Sequence, residues 1–321
     1  MADKNISVIT EFILLGLTDN PGLNTVLFVL LLLLYLVTVL GNVWIMAIIL
    51  ASAHLHSPKY FFLSQLAFLD FCYSSVFIPK MLVNYIVGQK FISYHGCLLQ
   101  YSLVSMLLTT ECFLLAAMAY DRYVAICRPL HYRRLMTPAL CIHLVTASYL
   151  LGCASSLTHL SSLLSLSFCG PNVINHYFCD IPLLFQLSCS NTQFSKVLFI
   201  VLSGTTSVTT FLIVISSYLG ILVTILKIQS IGGRCKAFST CASHLTVVTL
   251  FYGTVIFTYL GTSSSYPQER AKLLSVFYTL LLPVLNLLIY SVRDTETKEA
   301  MKKIIMRKIV AQLPEFLIMN V

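Results

Sequence analysis

The chain has 321 residues, of which 58% are hydrophobic and only 10% charged, and its mean hydropathy is +0.87. A soluble domain carries about a quarter charged residues because surface facing water must be polar, so lipid has to be the outer solvent here. The net charge of +8 sits in short clusters between apolar runs instead of on one basic face, which excludes a nucleic-acid partner. The eleven cysteines lie mostly inside apolar runs, where a free thiol behaves as a small hydrophobe, and do not make a disulfide scaffold.

Taken in chain order, residues 1–23 read as an N-terminal tail carrying the sequon Asn5-Ile6-Ser7, a candidate glycosylation site. A bilayer core of roughly 30 Å needs about 20 apolar residues per helix, and residues 24–292 supply seven such spans. The first lies between Asp19 and Lys59, which enclose no charged residue. It is too long for a cleaved signal and has Asp3, Glu11 and Asp19 before it. The second, Tyr60 to Pro79, carries Asp70, and the third, Phe91 to Tyr120, carries Glu111. Uncharged stretches between Arg134 and Asp180, Lys196 and Lys227, Lys236 and Glu269, and Lys272 and Arg293 give the other four.

The connection from Leu166 to Phe194 is too long for an ordinary loop and is expected to be functional. Residues 293–321 form a tail in which Asp294 to Val310 reads as a short amphipathic helix on the membrane surface. Met301, Ile304 and Ile305 fall on one side, with Lys302, Lys303, Arg307 and Lys308 around them. The expected fold is therefore an all-α membrane protein, a seven-transmembrane helix bundle with a short amphipathic C-terminal helix.

The loop charges predict the orientation. With the N-terminus outside, the cytoplasmic side holds Lys59, Arg122, Arg128, Arg133, Arg134, Lys227, Arg234, Lys236 and the basic tail. The outer side keeps Lys4, Lys80, Lys90, Lys196, Arg270 and Lys272. A plasma-membrane protein with an extracellular N-terminus and a cytoplasmic C-terminus follows.

Ionisable groups inside a span are costly and are by default functional candidates. Asp70 and Glu111 could share a proton or bind a cation such as sodium if they face each other, since two close carboxylates cannot both ionise cheaply. They could equally form a hydrogen-bonded structural pair with Asn42 and Asn286. At the end of the third span, Met118-Ala119-Tyr120-Asp121-Arg122-Tyr123-Val124-Ala125-Ile126-Cys127 sets an Arg beside an Asp at the membrane edge. There the cation can stay paired or reach out to a partner.

This string resembles the signature of odorant receptors, a family of rhodopsin-like G-protein-coupled receptors. Four further segments resemble the family's motifs in the same order: Leu55 to Ser64, Ser217-Tyr218, Lys236 to Leu245, and Pro283 to Ser291. The resemblance runs from about Glu11 to Lys303. Two positions depart from the family pattern: Lys59 stands where Met is usual, and Leu287 where Pro is usual after Asn286. Leu287 restores a backbone N–H and is expected to straighten a helix that Pro would kink.

The resemblance implies an activation switch in which Asp121, Arg122 and Tyr123 work with Tyr218, His244, Asn286 and Tyr290. Opening of the sixth helix would admit a stimulatory G protein. It also implies the disulfides Cys97–Cys179 and Cys169–Cys189, which would pin the long loop over the bundle. The metal-like spacing of His176 and Cys179-Asp180 then lacks a thiolate, so no metal and no cofactor is expected.

Counting turns outward from the motifs gives a candidate ligand-binding face. Ser105, Leu108, Thr109 and Cys112 come from the third helix, and Phe199, Leu202, Ser203 and Thr206 from the fifth. The sixth supplies Tyr252, Val255, Ile256 and Tyr259. Each residue could equally be core packing. The set is apolar, with hydroxyls and no carboxylate, which predicts a small, neutral, largely apolar volatile held by Ser105, Thr109, Ser203 or Tyr259. The other partners expected are the stimulatory G protein, which raises cyclic AMP, and membrane lipid. A transporter would show inverted repeats, and an enzyme a P-loop, a metalloprotease His-Glu pattern or a Gly-x-Ser-x-Gly turn. The sequence contains none of these.

Overall fold

A computed structural model gives the architecture of the chain and describes residues 9–18, 20–88, 90–169, 171–260, 272, 275–293, 297–304 and 306. Asn5, Arg270, Ile305, Arg307 and Lys308 lie outside the described residues.

Among the described residues, six helices are long and apolar enough to cross a membrane: α1 (Pro21–Ala51), α2 (Pro58–Val87), α3 (Tyr94–Cys127), α4 (Pro138–Leu164), α5 (Gln193–Lys227) and α6 (Ile231–Leu260). The seventh, α7, opens with a π-helical turn at Phe277–Leu281 and continues as α-helix over Leu282–Arg293.

Local chemistry fixes where several of these helices begin. Asn20-Pro21, Ser57-Pro58 and Thr137-Pro138 each set a capping residue before a proline at the first helical position. Proline has the helical φ already and lacks only an N–H that would be orphaned there. Asn20 Oδ1 accepts from the Gly22 N–H at 3.0 Å, and Thr137 Oγ1 from the Leu140 N–H at 3.2 Å. Gly88, at φ 68°, closes α2 in the left-handed conformation that glycine adopts without steric cost.

The bundle is apolar on both sides of its helices. Leu40, Leu50 and Ile200 are 65%, 77% and 67% exposed. In water so many exposed side chains would mark an aggregation surface; here they meet lipid tails. With lipid as solvent, helices associate through close backbone approach and hydrogen bonds instead of hydrophobic expulsion. The α3–α4 contact shows both. Gly152 lies so close to α3 that an added Cβ would sit 2.7 Å from the Met106 carbonyl and overlap Thr110. One turn on, Ser156 Oγ donates to the Ser102 carbonyl at 2.6 Å.

The helical bundle is as expected, and one end of it also carries a small sheet that the sequence did not announce. Strands β1 (Glu11–Leu14), β2 (Phe91–Ser93) and β3 (Val173–Ile174) pair in the order β2-β1-β3. The β1–β2 pair is antiparallel, with Glu11 opposite Ser93, and the β1–β3 pair is parallel, with Ile13 opposite Val173. Phe12 and Leu14 alternate inward, the period-two signal of a strand. Its partners are loop segments far away in sequence, so a scan for apolar spans passes over it. Beyond α7, residues 297–304 are helical. Thr297 and Ala300 are buried, Met301 and Ile304 pack on the core, and Lys302 and Lys303 are exposed.

Candidate functional site

The sheet end is closed by the segment between α4 and α5. Cys97 at the start of α3 is bonded to Cys179, with their Cα atoms 5.5 Å apart, and Cys169 is bonded to Cys189, with Cα atoms 5.9 Å apart. Gln100, one turn into α3, ties three elements together. Its Nε2 donates to the Val76 carbonyl of α2 at 3.3 Å, and its Oε1 accepts from the Cys179 N–H at 3.0 Å.

The triplet His176-Tyr177-Phe178 is wholly buried. His176 Nε2 pairs with Ser275 Oγ at 3.3 Å, and the Tyr177 hydroxyl with Thr279 Oγ1 at 2.7 Å, both on the seventh-helix segment. Phe178 meets Phe77 of α2 edge-on, with centroids 4.9 Å apart. From above, Lys90 Nζ donates to the Leu15 carbonyl at 2.7 Å, and Lys272 Nζ to the Gly16 carbonyl at 3.0 Å and Asn175 Oδ1 at 2.8 Å. Covalent bonds, a sheet and two lysines thus hold one lid on α2, α3 and the seventh helix.

Beneath the lid lies a cavity bounded by α3, α5, α6, α7 and the lid. Of the residues expected to face a ligand, Ser105, Leu108, Thr109, Cys112, Phe199, Ser203, Thr206 and Val255 line it. Leu202, Tyr252 and Ile256 do not. Tyr252 is buried and spends its hydroxyl on Thr210 Oγ1 at 2.8 Å, while Ile256 is 41% exposed on the lipid face. Leu202 is half-buried away from the cavity. The side chain of Tyr259 lies outside the described residues.

Tyr101, Val104, Phe178, Asp180, Ser207 and Tyr278 also line the cavity, and turn-counting from the motifs missed them. Asp180 corrects the expectation of a wall without a carboxylate. The available signal was its place next to Cys179, which the disulfide fastens to the top of α3. Asp180 caps the short helix Ile181–Leu187, its Oδ1 accepting from the Ile181 N–H at 2.9 Å. Burial pushes its carboxyl up to about 6.

Deeper in the bundle Asp70 and Glu111 are both buried. Asn286 Nδ2 donates to both Asp70 oxygens at 3.2 Å, so the expected Asp70–Asn286 bond is present. Asn42 is not part of it: its Nδ2 donates to the Thr38 carbonyl of its own helix at 2.9 Å. Glu111 Oε1 has no hydrogen-bond partner among the described residues.

At the far end of α3, Arg122 is buried and paired with Asp121. The Tyr132 hydroxyl, from the single turn Tyr132–Leu135, donates to the other Asp121 oxygen at 2.7 Å. The Tyr218 hydroxyl meets His244 Nδ1 at 2.7 Å, with the two rings stacked. The Tyr123 ring packs on Gly220 of α5, where a Cβ would come within 2.6 Å of it. Tyr290 is buried, and its hydroxyl has no partner among the described residues. The structure therefore gathers Asp121 with Arg122 and Tyr218 with His244. No hydrogen bond joins these two pairs among the described residues.

A lidded cavity at one end of seven helices and a buried Asp-Arg pair at the other make this a receptor-like bundle. The fold is that of rhodopsin-like receptors: squid rhodopsin superposes with a TM-score of 0.73 over 89% of this chain and 81% of that chain, at 14% identity. The sequence profile of the olfactory receptor family matches residues 31–308. Human olfactory receptor 5J2 is 51% identical over 308 residues, covering 96% of this chain and 99% of the relative. Mouse olfactory receptor 5AR1 is 49% identical, with the same two coverages. The chain belongs to the olfactory receptor family, a family of multi-pass membrane receptors and not of enzymes.

Proposed function

We propose that this chain is an odorant receptor that takes a small, largely apolar volatile into the cavity under the lid and activates a stimulatory, olfactory-type G protein, raising cyclic AMP. One observation carries the reading: a single helix, α3, presents Ser105 and Thr109 to the cavity and ends at the buried Asp121–Arg122 pair. A ligand that favours one position of α5 and α6 against α3 shifts a two-state equilibrium at the far end. The sheet end is extracellular, as the disulfides and the loop charges favour, and the Arg122 end meets the G protein. The Asp121–Arg122 pair, with Tyr123 packed on α5, holds the closed form. The Tyr218–His244 bond rearranges on opening, near Asn286 and Tyr290.

The test is cyclic AMP in cells co-expressing the chain and a stimulatory olfactory-type G protein, across a panel of volatiles and normalised to surface staining. The expected result is a ligand-dependent rise that Arg122→Ala abolishes. Silence at full surface staining, or a response that Arg122→Ala leaves intact, overturns the reading.

A further inference from the structure

We propose that Asp180 is the specificity-determining residue of the cavity, and that it selects ligands whose polar head donates a hydrogen bond, an alcohol or an alkylammonium, over carbonyl compounds and carboxylates. The inference rests on the cavity being the ligand site and names the chemistry it takes. Asp180 lines the cavity and remains partly accessible there. Its Oδ1 is used by the Ile181 N–H at 2.9 Å, which leaves Oδ2 without a hydrogen bond among the described residues. Among those residues no Lys, Arg or His pairs with it.

The rest of the wall nearest the lid is Tyr101, Phe178 and Phe199 with the hydroxyl of Ser203. An aliphatic chain fits that wall. The hydroxyls can serve either kind of head, because each can donate or accept. The ionised carboxylate can only accept, so it sets the sign of the selection. A donor head satisfies Oδ2. A ketone, aldehyde or ester brings its own lone pairs against it, and an organic acid adds charge repulsion in a desolvated site.

Asp180→Asn separates this role from helix capping. Asn caps a helix about as well as Asp, so its Oδ1 keeps the Ile181 bond and the side chain turns an NH₂ donor toward the cavity. The acceptor on the wall becomes a donor without loss of the lid.

The experiment measures thermal stabilisation of the purified full-length receptor and of the Asp180→Asn variant by octanol, octylamine, octanal and octanoate, which share one chain length. The expected result is that octanol and octylamine stabilise the wild type at about tenfold lower concentration than octanal or octanoate, as one well-placed polar contact allows. In Asp180→Asn, octanal and octanoate gain by a similar factor and octylamine loses. In the wild type, stabilisation by octanol at lower concentration than octylamine identifies a neutral donor as the preferred head, and the reverse order identifies the ammonium.

The same order of potency in both proteins overturns the proposal and leaves Asp180 a cap, as does stabilisation by none of the four. The readout involves no G protein. A swap in binding order without any cyclic AMP response would therefore sink the signalling reading and leave this one standing.

Discussion

Leu287 of α7 fills the notch that Gly41 leaves on α1: a Cβ built at Gly41 would overlap both Leu287 methyls, 2.9 Å from Cδ1. Leu287 is buried there, and α7 runs through it as regular helix. Leu287 is the position where the sequence departs from the family's proline. A proline would remove both the backbone donor and the side chain that fits the notch. Gly41→Ala is expected to cost about 1–3 kcal/mol by overpacking, read as a lower melting temperature in detergent. Leu287→Ala should relieve that clash, so the double variant is less destabilised than the sum of the singles. Additive losses would show that the two residues do not share this space.

Gly152 makes the equivalent contact between α4 and α3, but its neighbours are the Met106 carbonyl and Thr110. Backbone cannot turn aside as a leucine can. Gly152→Val is therefore expected to cost more than Gly41→Ala, of order 3 kcal/mol or above, and to deplete surface staining. A variant with wild-type melting and staining would mean that α4 stands farther from α3 than described.

The lid predicts a pH dependence. Burial and the neighbouring Lys272 ammonium push the His176 imidazole down to about 3. The unfolded chain then binds that proton more readily than the folded one. The neutral ring contributes stability that is fully present above the ordinary value of 6.5 and is lost as pH falls toward 3. Asp180, raised to about 6, works in the opposite sense, gaining stability as pH falls through 6. Melting temperature should drop between about pH 7 and pH 5, more steeply in Asp180→Asn and less in His176→Phe. An unchanged slope in His176→Phe would remove His176 from the account.

Val255 and Ile256 are neighbours on α6 that face different media. Val255 lines the cavity and Ile256 is exposed on the lipid face. Val255→Trp should fill the cavity and raise the concentration of any agonist needed for half response by tenfold or more, as expected when a pocket loses the space for its ligand. Ile256→Trp should leave the response near wild type. Equal effects would place the α6 face differently.

Much of the site was legible without coordinates because helical periodicity is local. Ser105, Leu108, Thr109 and Cys112 fall on one face by spacing alone, and all four line the cavity. The failures came where the face is narrow or the partner remote. One residue of rotation separates Val255 from Ile256, and Tyr252 finds Thr210 on a neighbouring helix. Asp180 reaches the cavity only because a disulfide bends its loop back over α3.

The sequence by itself determined the solvent, the spans and the family. Apolar content, run length and motif order are properties of the chain taken in line, and a bilayer reads them without reference to any fold. Only the tertiary structure decided that residues 11–14 join two loops in a sheet, that Leu287 seats on Gly41, and that a carboxylate stands in the wall of the cavity. Each of these joins positions that are distant in sequence, and such positions meet only when helices pack closely enough for backbone and side chain to compete for the same space.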